Sequence, residues 1–502
     1  MAFSRSRLRE WEKVPDRADE GPFRQRRFHA MTDFLAHNMG PLMFAGLILF
    51  MLYGYPAAFS LAAVGLLFGF IGVELGLIPP GFLGNIIFQL ESVLGNDLLL
   101  AIPFFTLMGA ILERCGLAED LLEGFGQLFG GVRGGLSYAV ILVGAVLGAI
   151  TGTVAASVIA MGLISLPIMM KYGYNIRHAT GVIAASGTIT QLIPPSLVLV
   201  VLADQLGQPV GEMYKGAIGA SVVQVLLFMA WVLILSFIRP NDIPALPPEA
   251  RTLHGWALAR RCIRGMVPSL ALIFIVLGTI FMGLATATEA GAMGVVGAFV
   301  LAWFNRKLTW ALTWQGMQTT MRITAMVVFI LIGARVFSLV FQGVGGKEWI
   351  EGFLTGLPGG EVGFLIFVNL FIFIIAFFLD FFEIAFIIVP LLVPAAEALG
   401  INLIWFGVLL GANMQTSFMH PPFGFALFYL RGIAPPSVKS SDIYWGAIPW
   451  VVLQLILVAI LIACPELVTF FLDAEIVVDP NFEVIIPSNA GGTDLSAPPV
   501  IE

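Results

Sequence analysis

Apolar stretches of about twenty residues follow one another along this chain, and each is long enough to cross the hydrocarbon core of a bilayer as a helix. They are read at 41–53 with 56–76, 97–113, 177–206, 211–238, 262–283, 287–304, 318–343, 403–430 and 444–471. Two more, 135–171 and 361–398, carry polar or Gly residues near their middles, as two crossings or one re-entrant hairpin would. If both are hairpins, the chain crosses ten times, five before a linker at 239–261 and five after it. Composition agrees: 59% of residues are hydrophobic and 11% charged, more apolar surface than a water-soluble fold can hide. The fold class expected is an all-α polytopic membrane protein in a lipid bilayer. Cys115, Cys262 and Cys464 have no CxxC spacing, which excludes a disulfide framework or thiolate metal site.

Charge placement sets the orientation. Connections on one face contain Arg114, Arg133, Lys171, Arg177, Arg239, Arg251, Arg260, Arg261, Arg264, Arg306, Lys307, Arg431 and Lys439, and the other face only Lys215 and Lys347. The first face is therefore cytoplasmic by the positive-inside rule. The tail 472–502 holds acids and no Lys or Arg, as a flexible external segment would. The segment 1–36 is basic and disagrees with an external N-terminus. It reads either as an interfacial amphipathic helix or as a sign of a crossing uncounted near 41–76.

The halves 37–238 and 262–471 contain related segments. Adding 227 takes Pro167 to Pro394, Gly173 to Gly400, Asn175 to Asn402, Ala185 to Ala412, and Pro194-Pro195 to Pro421-Pro422. Five crossings per half would invert the second copy, the arrangement of secondary transporters that bind cargo where helices break at the midplane. Proline removes a backbone donor and clashes with the preceding turn, which frees carbonyls that lipid cannot satisfy. Carbonyls and hydroxyls suit Na⁺, and exposed helix N-termini suit a carboxylate.

The first break is Ser186-Gly187-Thr188-Ile189-Thr190-Gln191-Leu192-Ile193-Pro194-Pro195, with a hairpin tip at Thr151-Gly152-Thr153. The second is Asn413-Met414-Gln415-Thr416-Ser417-Phe418-Met419-His420-Pro421-Pro422, with its tip around Asp380-Phe381-Phe382-Glu383. Asp380 is a carboxylate inside an apolar segment, which costs about 2.5–3.5 kcal/mol on insertion scales; a helix cap is its bland reading. Ser186, Thr188, Gln191, Glu383 and Gln415 are candidate substrate contacts. Arg335 joins them because guanidinium pairs bidentately with carboxylate. His420 reads as packing and Glu289 as a cap. There is no HExxH, and Gly343-Val344-Gly345-Gly346-Lys347 lacks the Ser/Thr of a phosphate-binding loop, so neither enzyme chemistry nor ATP hydrolysis is expected.

From Pro103 to about Ala434 the chain resembles the large membrane subunit of tripartite ATP-independent periplasmic (TRAP) transporters. The resemblance is carried by "AIPFFTLMGAIL", "TGTVAASVIAMGLISLPIMMKYGYN", "AASGTITQLIPPS", "TATEAG" and "IVPLLVPAAEALGINLIWFGVLLGANMQTSFMHPPFGFAL". It implies an inverted-repeat elevator transporter, with a mobile domain containing both hairpins and both broken helices. It further implies Na⁺-driven uptake of an organic acid across the bacterial inner membrane. The partners implied are a periplasmic substrate-binding protein and a separate small four-helix membrane subunit, with no nucleic acid. By position, one Na⁺ site would use Thr151, Gly152, Thr153, Gly187, Thr190 and Leu192. The other would use Asp380, Phe381, Asn413, Thr416 and Ser417. The sequence departs from many members by Phe381-Phe382 after the Asp and by Ser417 in the second break. The alternatives are a self-sufficient Na⁺/anion symporter and, remotely, an intramembrane hydrolase using Asp380 and Glu383.

Overall fold

The computed structural model describes residues 34–472 except 253–254 and 422–423. The expectations for residues 1–33, for Pro422 and for the tail from 473 lie outside the described residues. Among those described, every regular element is a helix. The first half contains α1 (Met39–Leu52), α2 (Ala57–Glu74), α3 (Asn85–Leu94), α4 (Asp97–Arg114), α5 (Leu117–Leu128), α6 (Gly135–Thr151), α7 (Val154–Lys171), α8 (Ile176–Thr188), α9 (Leu197–Gln205) and α10 (Val210–Ile238). The second contains α11 (Gly255–Phe281), α12 (Ala287–Phe304), α13 (Trp310–Gly343), α14 (Gly346–Thr355), α15 (Gly360–Ile375), α16 (Phe381–Ala398), α17 (Leu403–Met414), α18 (Phe425–Ile433) and α19 (Ser440–Ala463), followed by a short α20 (Glu466–Thr469).

The 227-residue offset governs far more of the chain than the identities that revealed it. Shifting α7 from 154–171 gives 381–398, the bounds of α16, and shifting α8 from 176–188 gives 403–415, against 403–414 for α17. From α5 onward every helix bound finds its counterpart to within three residues. The bent pair α3–α4 corresponds to the single long helix α13, and α1 and α2 correspond to α11 and α12. The copies interlock: α2 packs on α13 while its counterpart α12 packs on α4, and α8 packs on α19 while α17 packs on α10. Small residues permit these approaches. A Cβ on Gly333 would stand 2.3 Å from Ala58 O, and one on Gly181 2.1 Å from Gly446 O. Close backbone contact through small residues is how helices associate in lipid, where no hydrophobic drive separates them from the solvent.

Among the described residues, eight helices are long and apolar enough to cross a membrane, or ten if each of two bent pairs counts as one span. The protein is a multi-pass membrane protein. By length and composition alone this set includes α7 and α16, which the hairpin reading takes as arms that do not cross. The bent pairs are Pro80–Leu94 with Leu99–Arg114, at 42°, and Gly346–Thr355 with Gly360–Ile375, at 117°. The short α5 and α14, with acids in their first turns, were not anticipated, since a search for twenty-residue apolar runs passes over them.

Both broken helices start alike. Asn175 caps α8 by accepting from Arg177 N–H, and Asn402 caps α17 by accepting from Ile404 and Trp405 N–H. Each Asn follows a left-handed glycine, Gly173 at φ 79° and Gly400 at φ 72°, a conformation that strains other residues. After α8 the chain runs through a 3₁₀ turn at Ile189–Gln191 to Pro194-Pro195 and then α9; after α17 it runs through Gln415–Phe418 to α18.

Candidate functional site

The arms of the first hairpin, α6 and α7, pack on each other and on α8. Glycines set the fit: a Cβ on Gly144 would lie 2.7 Å from Ser186 O, one on Gly148 2.9 Å from Thr190 Cα, and one on Gly187 2.2 Å from Val158 Cγ2. The tip turns at Gly152, whose φ of 60° is left-handed. A Cβ there would lie 3.5 Å from Pro195 O, so the tip meets the first break. Thr151 ends α6, and Thr153 is the extended N-cap of α7 with no side-chain cap hydrogen bond.

The second tip is built differently. The chain turns over 376–380 and Asp380 is the N-cap of α16. Asp380 Oδ1 accepts from Glu383 N–H at 2.8 Å, while Glu383 Oε2 accepts from Asp380 N–H at 2.9 Å. This reciprocal capping box places Phe381-Phe382-Glu383 in the first helical turn rather than at the tip. The D-x-x-E spacing was legible as a helix start. A π-turn at Ile384–Ile388 follows, just before Pro390; Pro390 has no N–H and cannot continue the ordinary ladder there.

A cavity of about 140 Å³ lies between the two tips and the two breaks. Its walls are Gly152 and Thr153 from the first tip, Val154 and Ala155 from the start of α7, Phe381 and Phe382 from the first turn of α16, and Gln191 and Phe418 from the breaks. Leu197, Val198, Tyr429, Ile323 and Met326 complete it. Three helix N-termini meet here: α7, α16 and α9. Asp380 caps the second, and Ser196 caps the third by accepting from Val198 N–H. The first has no side-chain cap, and none of the lining residues is Lys or Arg.

The remaining expected residues fall as follows. Thr190 Oγ1 donates to Gly187 O at 2.9 Å, and Leu192 O accepts from Ser221 Oγ at 2.9 Å. Thr416 donates to Asn413 O at 2.8 Å and Ser417 to Met414 O at 2.7 Å. Asn413 Nδ2 donates to Asn369 O at 2.7 Å. At positions related by 227, Ser186 Oγ and Asn413 Oδ1 are buried oxygens without a hydrogen-bond partner. Of the six expected substrate contacts, Gln191 lines the cavity. Ser186, Thr188 and Gln415 are fully buried and not on its wall, Glu383 is engaged in its cap, and half-buried Arg335 is not on its wall either. Arg335 Nε has no partner. His420 packs, as expected, stacked on Phe377 with ring centroids 4.0 Å apart. Glu289 completes the expected cap with Thr286.

Sequence reasoning passed over Gln224 and Gln454, both fully buried. Gln454 Nε2 donates to Thr188 Oγ1 at 2.9 Å, and Gln224 and Gln415 form a reciprocal amide pair at 2.5 and 3.2 Å. A lone amide inside a long apolar helix was the available signal, since in lipid it must find a partner.

This architecture is shared with known proteins. The chain is 28% identical over 450 residues to the C4-dicarboxylate TRAP transporter large permease protein DctM of Vibrio cholerae, covering 86% of this chain and 96% of that one. It is 30% identical over 391 residues to the protein of the same name from Pseudomonas aeruginosa, covering 78% and 89%. The ectoine TRAP transporter large permease protein TeaC of Halomonas elongata is 27% identical, covering 87% and 99%. These relatives are permease subunits, not enzymes. In fold, the chain resembles the crystal structure of the YdaH transporter of Alcanivorax borkumensis, with TM-score 0.57, 14% identity, and coverage of 84% of this chain and 98% of that one. The family described as "Tripartite ATP-independent periplasmic transporter, DctM component" matches residues 44–467, and the chain belongs to it as a large permease subunit of a secondary transporter.

Proposed function

We propose that this permease imports an organic acid with Na⁺ by an elevator movement. In this reading the two hairpins are re-entrant, the repeats are inverted, and the hairpins move with both broken helices. The observation that carries the reading is the cavity between the tips. An anion placed there meets helix N-termini, whose partial positive charge and free N–H groups favour it, and the α7 N-terminus has no side-chain cap in the way. Asp380 occupies the equivalent position at the second tip with its own carboxylate. The cargo carboxylate then sits at the Val154 end, within reach of Gln191 and Tyr429. Na⁺ is the co-transported ion, held by the carbonyls and hydroxyls of each tip and break; the unpartnered oxygens of Ser186 and Asn413 supply further hard donors. The family's tripartite description supports a small four-helix membrane subunit and a periplasmic binding protein as partners, in the bacterial inner membrane. The C4-dicarboxylate named for two relatives is the first cargo to test.

Thiol protection tests the cavity. In a chain with Cys115, Cys262 and Cys464 replaced, Ala155→Cys places one thiol on its wall. Na⁺ with a C4-dicarboxylate is expected to slow methanethiosulfonate labelling several-fold relative to K⁺ alone. Labelling indifferent to both, in a complex that still transports, would place the cargo elsewhere.

A further inference from the structure

The glutamines on α10 and α19 are arranged crosswise. Gln224 lies on α10, the second helix after the first break, yet it pairs with Gln415 in the second break. Gln454 lies on α19, the second helix after the second break, yet it donates to Thr188 in the first break. Thr188 and Gln415 are related by 227; Gln224 and Gln454 differ from that relation by three residues, about one turn. The two contacts are thus the two copies of one device.

At Thr188 the breaks also touch directly. Its Oγ1 donates to Ala185 O at 2.8 Å and lies 3.8 Å from Sδ of Met419, in the second break, and Gln454 Nε2 lies 3.9 Å from the same sulfur. Thr188, Gln224, Gln415, Gln454 and Met419 are all fully buried. No water competes at such a site, so losing one partner leaves an unmet polar group rather than a solvated one. The carriers are rigid as well. A Cβ on Gly446 of α19 would lie 2.2 Å from Arg177 O of α8, which fixes Gln454 against the helix whose end it holds. A change of shape at Thr188 therefore moves against Met419 of the second break and against the Gln454 that contacts both.

We propose that Gln224 and Gln454 are positioning residues that join the two breaks into one unit, so that Na⁺ bound at one break raises the Na⁺ affinity of the other. The proposal rests on the reading that each break holds one co-transported Na⁺. The coupling is a two-way linkage between distinct sites, carried by a contiguous buried contact rather than by distance alone.

The test is Na⁺ titration, with choline replacing Na⁺, of C4-dicarboxylate uptake by the reconstituted permease complex with its binding protein. Wild type is expected to respond more steeply than first order. Gln454→Met fills the same space without the donor and is expected to lower the Hill coefficient to about 1. It should also raise the half-saturating Na⁺ several-fold, while the rate at saturating Na⁺ falls by less than half. Thr188→Val should likewise lower the Hill coefficient, the double variant should lower it no further than either alone, and Thr188→Ser should keep the response steep. The Na⁺-induced rise in melting temperature of the purified complex should lose its steepness in parallel, which separates the effect from poor folding. A Na⁺-responsive wild type whose steepness survives Gln454→Met and Thr188→Val would overturn the coupling and leave the Na⁺ reading standing. A wild type indifferent to Na⁺ would overturn both.

Discussion

Asp380→Asn is expected to fold and assemble as the wild type does, and to lose most of its Na⁺-coupled uptake. Asn caps a helix as well as Asp does, so its side-chain oxygen can still accept from Glu383 N–H, and Glu383 can still return the bond to the backbone. Only the charge is removed. If that charge holds Na⁺, the half-saturating Na⁺ should rise about tenfold or more, taking roughly 1.5–3 kcal/mol for a contact to a charged group. Asp380→Ala should add the loss of the cap, about 1 kcal/mol of stability, to the same transport defect. Uptake by Asp380→Asn at wild-type Na⁺ sensitivity would reduce Asp380 to a cap. The Asn variant therefore separates the two roles.

Gly148→Leu is expected to abolish transport through packing rather than chemistry. A Cβ alone would stand 2.9 Å from Thr190 Cα, a backbone atom of the 3₁₀ turn that cannot yield without reshaping the break. The cost should lie at the upper end of the roughly 1–3 kcal/mol typical of overpacking. Thermal melting of the purified complex and uptake by the surviving fraction measure it. Gly144→Leu should act alike, by its approach to Ser186 O. The 227-related positions hold Phe371 and Ile375, so the second hairpin has no such fit, and Phe371→Leu should be tolerated. A Gly148→Leu permease that melts and transports normally would show that the first break does not rest on this arm.

How much was legible follows from what makes a residue visible in an apolar chain. The Gly-X-Asn turns, the Pro-Pro break and the polar runs beside it stand out because lipid penalises them locally. The identities at a fixed offset therefore located the breaks and, through Asn175 and Asn402, the helix starts. The capping box at Asp380 and Glu383 was equally written in the spacing, although it places Glu383 in the first turn of α16 rather than at the tip. Lateral relations were not legible. Nothing in the runs around Gln224 or Gln454 says which break each will meet, because that depends on how α10 and α19 cross α17 and α8. Arg335 illustrates the converse: its charge suits a carboxylate, but its place on α13 keeps it off the cavity wall. Sequence also gave no reason for the wall formed by Ile323 and Met326, two apolar residues among many.

The most direct test of the account is uptake of a radiolabelled C4-dicarboxylate into proteoliposomes holding this permease with its small membrane subunit. The account predicts accumulation only when the binding protein is outside and Na⁺ is directed inward, and none when K⁺ replaces Na⁺ or the binding protein is withheld. Equal accumulation without a Na⁺ gradient, or without the binding protein, would contradict it.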